Sequence, residues 1–426
     1  MKSSSTMIAV ALAYLATNCR PPTANTPPAH PAAGPGPVQS VDVLEWGEGY
    51  TLFIGDNRSM SIHAVDLERP SSSGPDLAFN VLDLEAAVER TSGIDRFDVL
   101  DLSVHPVSGE AVLAVELLPK REPRLLLITA GGEIDAIDPN ELEVETLPLT
   151  EPPPERLTFL DGTRAQALTV TDIEYFRGEL LISGLSHGKF SSVVRRTRYP
   201  FEAAPILAHV SMFHTVHNQV ETRSPIISLE VELLSGTPYV IAVYMCTPLV
   251  VAPLAAFADG ARVEGKTIAE LGWGNTPIDF LGMDIGVPWM NGRFFVLTSQ
   301  QRSALLVGLD DIERHAGLPD LREPTPFPLE DHAGVPVRGI AMGDVSHIAD
   351  QNMALMLTLS RSKTRGTLKL TSRIKGLFLR ISEFVDEYSF PSYDYDLAAN
   401  SEWQKKNIRA ARTWLLETEG RVEAVK

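Results

Sequence analysis

The densest group of metal-ligand side chains lies in residues 207–217, where His209, His214 and His217 surround Met212, with Met245 and Cys246 following further along. Imidazole nitrogens combined with a thioether or a thiolate suit copper or zinc. His214, His217, Met245 and Cys246 are therefore the candidate metal ligands. In one continuous strand, alternation would point His209 and His217 away from the face that carries His214. A turn at Thr215-Val216 is needed to bring His214 and His217 to one ion. CxxC and HExxH spacings are absent, so polar core or loop histidines are the competing reading. Cys246, in VIAVYMCTPLV, reads equally as a small buried hydrophobe.

Carboxylates form the second group. Asp56 in GDNRS, Asp172 in TDIEYF and Asp279 in PIDFLG stand at turns or strand starts. At the mouth of an axial channel they would hold calcium or act as a general base. The alternative is that each satisfies backbone N–H donors. Other patterns exclude chemistry. GLSHG around Ser186 and His187 lacks the G-x-S-x-G form of a nucleophile elbow. Gly131-Gly132 is a hairpin turn and not a phosphate loop, because no helix follows it. The run Arg195-Arg196-Thr197-Arg198 is the one basic patch, a site for a carboxylate or sulfated ligand or else a solvated outer hairpin.

These residues must be positioned by short strands. An apolar strand beginning near an Asp, a Gly or Asn turn and a strongly apolar strand recur in residues 94–116, 170–185, 277–299 and 337–357. A second hairpin phrase recurs from Leu52 (LFIGDNRSMSIHAVDL), Leu125 (LLLITAGGEIDAID) and Ser303 (SALLVGLDDIERHAG). Repeated four-stranded units are the signature of a β-propeller, whose radial repetition leaves only short edges. The expected fold is therefore an all-β propeller over residues 41–397. A period of about 45–50 residues gives about seven blades, with six or eight also fitting the length. A single β-sandwich is too small for this body. Residues 82–90 read as a short acidic helix, and residues 255–271 as a loop with a turn of helix. Residues 398–426 form a C-terminal extension whose segment 398–418 places Trp403, Ile408, Ala411, Trp414 and Leu415 on one face of an amphipathic helix.

The chain opens with a short positive start and an apolar run over residues 7–17, with Cys19 directly after it. That run is too short to span a bilayer and matches a secretory signal over residues 1–18. The segment resembles a lipoprotein signal in which Cys19 becomes the lipidated first residue, although Ala16 replaces the usual leucine and Asn18 the usual small residue. Residues 19–40 are rich in Pro and Ala and read as a semi-extended tether. The expected location is the periplasm or outer membrane, with the membrane reached through the lipid alone.

Lys and Arg total 37 against 55 Asp and Glu, a formal charge of −18 that repels phosphate backbones and excludes nucleic acid as a partner. Only two cysteines are present. With Cys19 lipidated, Cys246 has no intramolecular disulfide partner, and stability must come from packing.

Three segments are similar to a group of exported bacterial β-propeller proteins of unassigned activity: residues 171–201 (TDIEYFRGELLISGLSHGKFSSVVRRTRYPF), residues 213–226 (FHTVHNQVETRSPI) and residues 244–280. The resemblance implies a seven-bladed exported body and carries no catalytic residue. Together these readings favour a ligand- or protein-binding module of the cell envelope, its partner an envelope protein or a small molecule. The alternatives are a propeller enzyme, of the metal-dependent hydrolase, lactonase or quinone-linked dehydrogenase type, and a periplasmic copper-binding protein. The cofactors in play are copper, zinc or calcium.

Overall fold

The computed structural model describes residues 38–379, apart from 68–77, 155, 159–161, 163, 189–190, 273–275, 301–302, 326–331, 341, 343–344 and 362–365. The signal segment, Cys19, most of the tether and the expected C-terminal helix lie outside the described residues. All described residues belong to the unit Gly34–Lys426.

The described residues are all-β, with two α-helices. They form four four-stranded sheets and one ten-stranded sheet in a propeller-like arrangement. The large sheet consists of two four-stranded antiparallel groups, joined where Ile206–His214 runs parallel to Arg262–Glu270, with two short strands added at its margins. Six four-stranded groups are thus present among the described residues. Their innermost strands, in chain order, are β1 (Val43–Trp46), β2 (Phe97–Val104), β3 (Asp172–Phe176), β4 (Ile226–Leu234), β5 (Pro277–Val287) and β6 (Val345–Asp350). Each touches two others, in the order β2, β1, β3, β4, β5, β6 and back to β2, so the contacts close into a ring.

Two-sided burial explains why the strand next to each innermost strand carries apolar residues at both parities through its middle. In Ala111–Leu117, Ala111, Leu113 and Val115 enter the core shared with the β6 group, while Val112 and Ala114 enter the core shared with the β1 group. Phe53 likewise faces the β3 group while Leu52 and Ile54 face the β2 group. Phe295 and Leu297 pack toward the β4 group and Val296 toward the β6 group. Side chains alternate across a strand, so a strand sandwiched between two sheets must be apolar at both parities. Each fully buried Val, Leu or Phe contributes about 1.5–3 kcal/mol of transfer free energy, which makes these inter-sheet layers the main source of stability.

Closure of the ring is non-sequential. The β6 group takes its fourth strand, Asn80–Val81, from early in the chain. The β1 group receives its fourth strand, Val144–Pro148, only after the whole β2 group has been built. These two strands are therefore contributed to their sheets out of chain order.

Helix α1 (Leu84–Ser92) confirms the short acidic helix. The Asp83 carboxylate caps it by accepting from Ala86 N at 3.0 Å, Gly93 ends it at φ 74°, and Leu84 and Val88 bury its inner face. Helix α2 (Leu309–Ala316) corrects the hairpin expected after Ser303. Asp310 and Asp311 in its first turn and Arg314 and His315 in its last complement the helix dipole, and Ile312 is buried. Residues 255–271 also differ from expectation, because Arg262–Glu270 is a full strand rather than a loop. Its close approach to the neighbouring strand is built around Gly265, where an added Cβ would meet Val250 Cγ1 at 2.5 Å.

Candidate functional site

The innermost strands bring carboxylates to the axis. Register shifts fall immediately before Asp101, Ser228, Asp279 and His347. A bulge re-aims the residue that follows it, so these side chains enter the axial ring despite breaking strand alternation. Asp101 accepts from Leu44 N at 2.7 Å, Asp172 from Leu229 N at 2.7 Å, and Asp279 from Ile348 N at 2.8 Å, each reaching across to a neighbouring group. The second oxygen of each Asp accepts from the next residue of its own strand, at 2.7 to 2.9 Å. Glu45 and Glu230 span two other junctions, and Glu174 reinforces the one met by Asp172. Glu45 accepts from Tyr175 N at 3.2 Å, Glu174 from Val231 N at 3.3 Å and Glu230 from Gly282 N at 2.7 Å. The last junction, between β6 and β2, is met by His347 Nδ1, 3.8 Å from Asp101.

Five of the six junctions are thus bridged by an axial carboxylate that accepts a backbone N–H, and at the sixth His347 faces Asp101. Burial pushes Asp172 and Asp279 up to about 7, against the hydrogen bonds from Ser228, Leu229, Ile173, Ile348 and Phe280 that favour the anion. Glu230 is pushed up to about 7 for the same reason, and burial also raises Glu45, Asp101 and Glu174 well above the usual carboxylate range. Burial lowers His347 to about 4. Desolvation disfavours each charged form, and neighbouring carboxylates reinforce it for the acids.

Of the three aspartates singled out in the sequence, Asp172 and Asp279 lie on innermost strands with both oxygens accepting backbone N–H groups, and Asp56 lies elsewhere. It is fully buried at the turn between Thr51–Asp56 and Ser61–Asp66, away from the innermost strands. Its carboxylate accepts from Gln39 N, Arg58 N, Ser59 N and the Ser40 hydroxyl, and lies 3.2 Å from His63 Nε2. These bonds hold its pKa below the usual range even though burial opposes them. It is a turn anchor rather than a channel residue. Asp101, Glu45 and Glu230 were missed. The Asp-bearing phrase VLDLSV could have pointed to Asp101; nothing local marks the two glutamates.

The second constellation lies off the axis, where the parallel seam of the large sheet ends. His214 closes the strand Ile206–His214, and a turn at Thr215 to Asn218 returns the chain as Gln219–Glu221, with His214 opposite Gln219. That turn brings the two imidazoles together, with ring centroids 4.0 Å apart. Cys246 comes from the connection between Thr237–Tyr244 and Pro248–Pro253, in a left-handed conformation at φ 85°. One ligand atom each from His214, His217 and Cys246 lies within 4.8 Å of the other two. His209 sits back in the strand opposite Arg262 and does not join them. Met245 is 38% exposed, and its N–H donates to Pro225 O at the edge of the turn.

Glu221 is the member that sequence reading missed. Its Oε1 lies 2.5 Å from His217 Nδ1 and 3.2 Å from His214 Nδ1. On the opposite edge of the His214 ring, Nε2 faces Thr247 Oγ1 at 3.4 Å and the fully buried Glu270 at 3.7 Å. Glu270 is held in turn by Thr215 N at 2.9 Å, Thr215 Oγ1 at 3.0 Å and the Thr247 hydroxyl. Burial would lower the His214 pKa, but hydrogen bonding to Cys246 and Glu221 and the charge of Glu270 carry it up to about 10. Burial raises Glu221, while the two imidazoles outweigh it and bring the carboxyl down to about 2.

The basic run is mostly structural. Arg195 is fully buried, and its guanidinium donates to the carbonyls of Thr150, Thr169 and Leu185. Arg196 pairs with Glu179 at 2.7 Å and donates to Phe257 O at 2.9 Å. Only Arg198 in the run is exposed, and Arg196 and Arg198 line an open cavity of about 420 Å³ together with Glu179 and Glu202.

No protein-family model matches the chain, and no curated protein matches it by sequence. Among solved structures, the chain is similar to Kuenenia stuttgartiensis hydrazine synthase at 12% identity and a TM-score of 0.34, over 80% of this chain and 97% of that one. It is also similar to Chaetomium thermophilum Raptor at 10% identity and a TM-score of 0.28, over 78% of this chain and 28% of that one. Likenesses this distant assign nothing, and the propeller-like description rests on the sheets themselves.

Proposed function

We infer that this chain is an exported, lipid-anchored β-propeller of six blades that serves the cell envelope as a binding module. The blade count is supported by six innermost strands whose contacts close on themselves. Export and anchoring are supported by the apolar run before Cys19 and the proline-rich tether after it. The observation that supports the binding role is the use of the axial aspartates as blade-to-blade acceptors. A propeller hydrolase needs axial oxygens free to ligate a metal or to take a proton from water. Here both oxygens of Asp172 and of Asp279 accept backbone N–H groups that would otherwise be unpaired. Such carboxylates join blades, and recognition falls to the loops and outer surfaces.

Thermal unfolding of the mature protein with and without added calcium, alongside Asp172→Asn and Asp279→Asn, tests this reading. Equal calcium response in all three proteins is expected. Calcium stabilisation of the parent that both variants lose, with one axial ion per chain by metal analysis, would turn the reading toward an enzyme. Mass spectrometry of the mature N-terminus decides the anchor: a diacylglyceryl-modified Cys19 is expected, and a start downstream of it removes that part.

A further inference from the structure

We propose that His214, His217, Cys246 and Glu221 form a tetrahedral site for a divalent transition metal ion of zinc type. The site lies apart from the axial ring, and its chemistry is independent of whether the module binds any other ligand.

Three observations converge on it. The donor atoms come from two connections distant in the chain and meet within 4.8 Å, with Glu221 adding an oxygen in contact with both imidazoles. His214 is fully buried, and its Nδ1 faces Glu221 Oε1 at 3.2 Å, so the ring nitrogen that would ligate is aimed into the cluster. The far nitrogen of the same ring already faces Glu270 and Thr247, the arrangement in which a carboxylate behind a histidine fixes its tautomer and strengthens it as a ligand.

The donor set selects the ion. Two neutral imidazoles, one thiolate and one carboxylate balance a 2+ charge, and all three ligand types are ordinary for zinc in four-coordination. Calcium and magnesium take oxygen and would leave the thiolate and imidazoles unused. Zinc bonds of 2.0–2.3 Å place ligand atoms about 3.3–3.6 Å apart. The site must therefore rearrange: the donor atoms of His214, His217 and Cys246, grouped within 4.8 Å, draw together, while Glu221 Oε1, 2.5 Å from His217 Nδ1 and 3.2 Å from His214 Nδ1, parts from the imidazoles, and His217, 45% exposed on a turn, is the ligand free to move. Binding displaces protons from the thiol and from the imidazole held by Glu221, and these leave to solvent.

Cobalt(II) reports such a site directly. Titration of untagged, chelator-treated, reduced protein with cobalt(II) should saturate at one equivalent, with the intense visible bands of tetrahedral cobalt and a thiolate-to-metal charge-transfer band. Zinc should displace the cobalt and bleach both. Cys246→Ser should abolish the charge-transfer band, and His217→Ala should weaken cobalt binding on the order of 100-fold, at least the loss seen when an outer-shell partner of a metal site is removed. His217 is exposed, so that variant tests ligation without threatening the fold, and circular dichroism of both variants checks it. An octahedral spectrum, a missing charge-transfer band in the parent, or binding unchanged by His217→Ala overturns the site.

Discussion

Raising the pH from about 4.5 to 6.5 should destabilise this protein, the opposite of what a chain rich in ordinary surface carboxylates would show. Asp172, Glu230 and Asp279 are held near 7 in the folded ring, against ordinary values of 3.8 and 4.5. Within that pH window the folded state keeps three protons that the unfolded chain has released. A group whose folded pKa is raised contributes stability present below its unfolded pKa and lost as pH rises through the folded one. His347 acts in the opposite sense, because it stays neutral in the ring above about 4 while the unfolded imidazole is protonated up to about 6.5. Three carboxyl groups against one imidazole leave a net excess of at least about two protons in the folded state, and the raised Glu45, Asp101 and Glu174 act in the same direction. At 1.36 kcal/mol per proton and pH unit, the limiting slope is roughly 3 kcal/mol per pH unit. Coupling spreads these titrations, and water in the axial channel reduces each of them, so about 1–2 kcal/mol per unit is the working expectation. Groups with lowered values, Asp56 and Glu221, act mainly at lower pH, where their stabilisation is lost as the carboxyls protonate. Urea unfolding followed by tryptophan fluorescence at half-unit pH steps measures the slope, and Asp279→Asn should reduce it by up to about 1.4 kcal/mol per unit. Stability that rises with pH across the window, or a slope that Asp279→Asn leaves intact, would refute the buried, proton-retaining ring.

Two further substitutions probe the packing. Leu113→Ala opens a cavity between the β2 and β6 groups and should cost about 2–5 kcal/mol, read as a lower urea midpoint at unchanged m-value. Arg195→Met strips the guanidinium from three buried carbonyls and should cost several kcal/mol, at about 1–3 kcal/mol per unsatisfied group, whereas Arg198→Ala on the exposed end of the same strand should stay within about 0.5 kcal/mol. Comparable losses from both arginine changes would restore the basic run as a surface feature.

Much of the architecture was legible because it is local. Ala111–Leu117 announces a strand buried on both faces through its apolar run over residues 111–115, and Asp83 with Gly93 delimit α1 by capping chemistry alone. Helix α2 was hidden because Leu305–Gly308 leads straight into it, and its short amphipathic pattern reads as hairpin when only apolar runs are weighed. The pair His214 and His217 was visible as ligand types, and their need for a turn followed from strand parity.

What residues 38–379 owe to their sequence alone is the identity of the strands, the two-sided burial of the middle ones and the presence of Asp at the innermost strands, since each depends on neighbours a few positions apart. The third dimension decided the rest. Bulges before Asp101, Asp279 and His347 invert the parity that would otherwise turn these side chains off the axis. The ring order, with the β2 group inserted ahead of β1, depends on a pairing between Asn80–Val81 and Leu368–Ile374. Glu221 and Glu270 reach His214 only because a hairpin folds back and a parallel seam sets Arg262–Glu270 beside Ile206–His214. Strand identity is a property of spacing along the chain; which carboxylate meets which imidazole is a property of closure, and closure leaves no periodic trace.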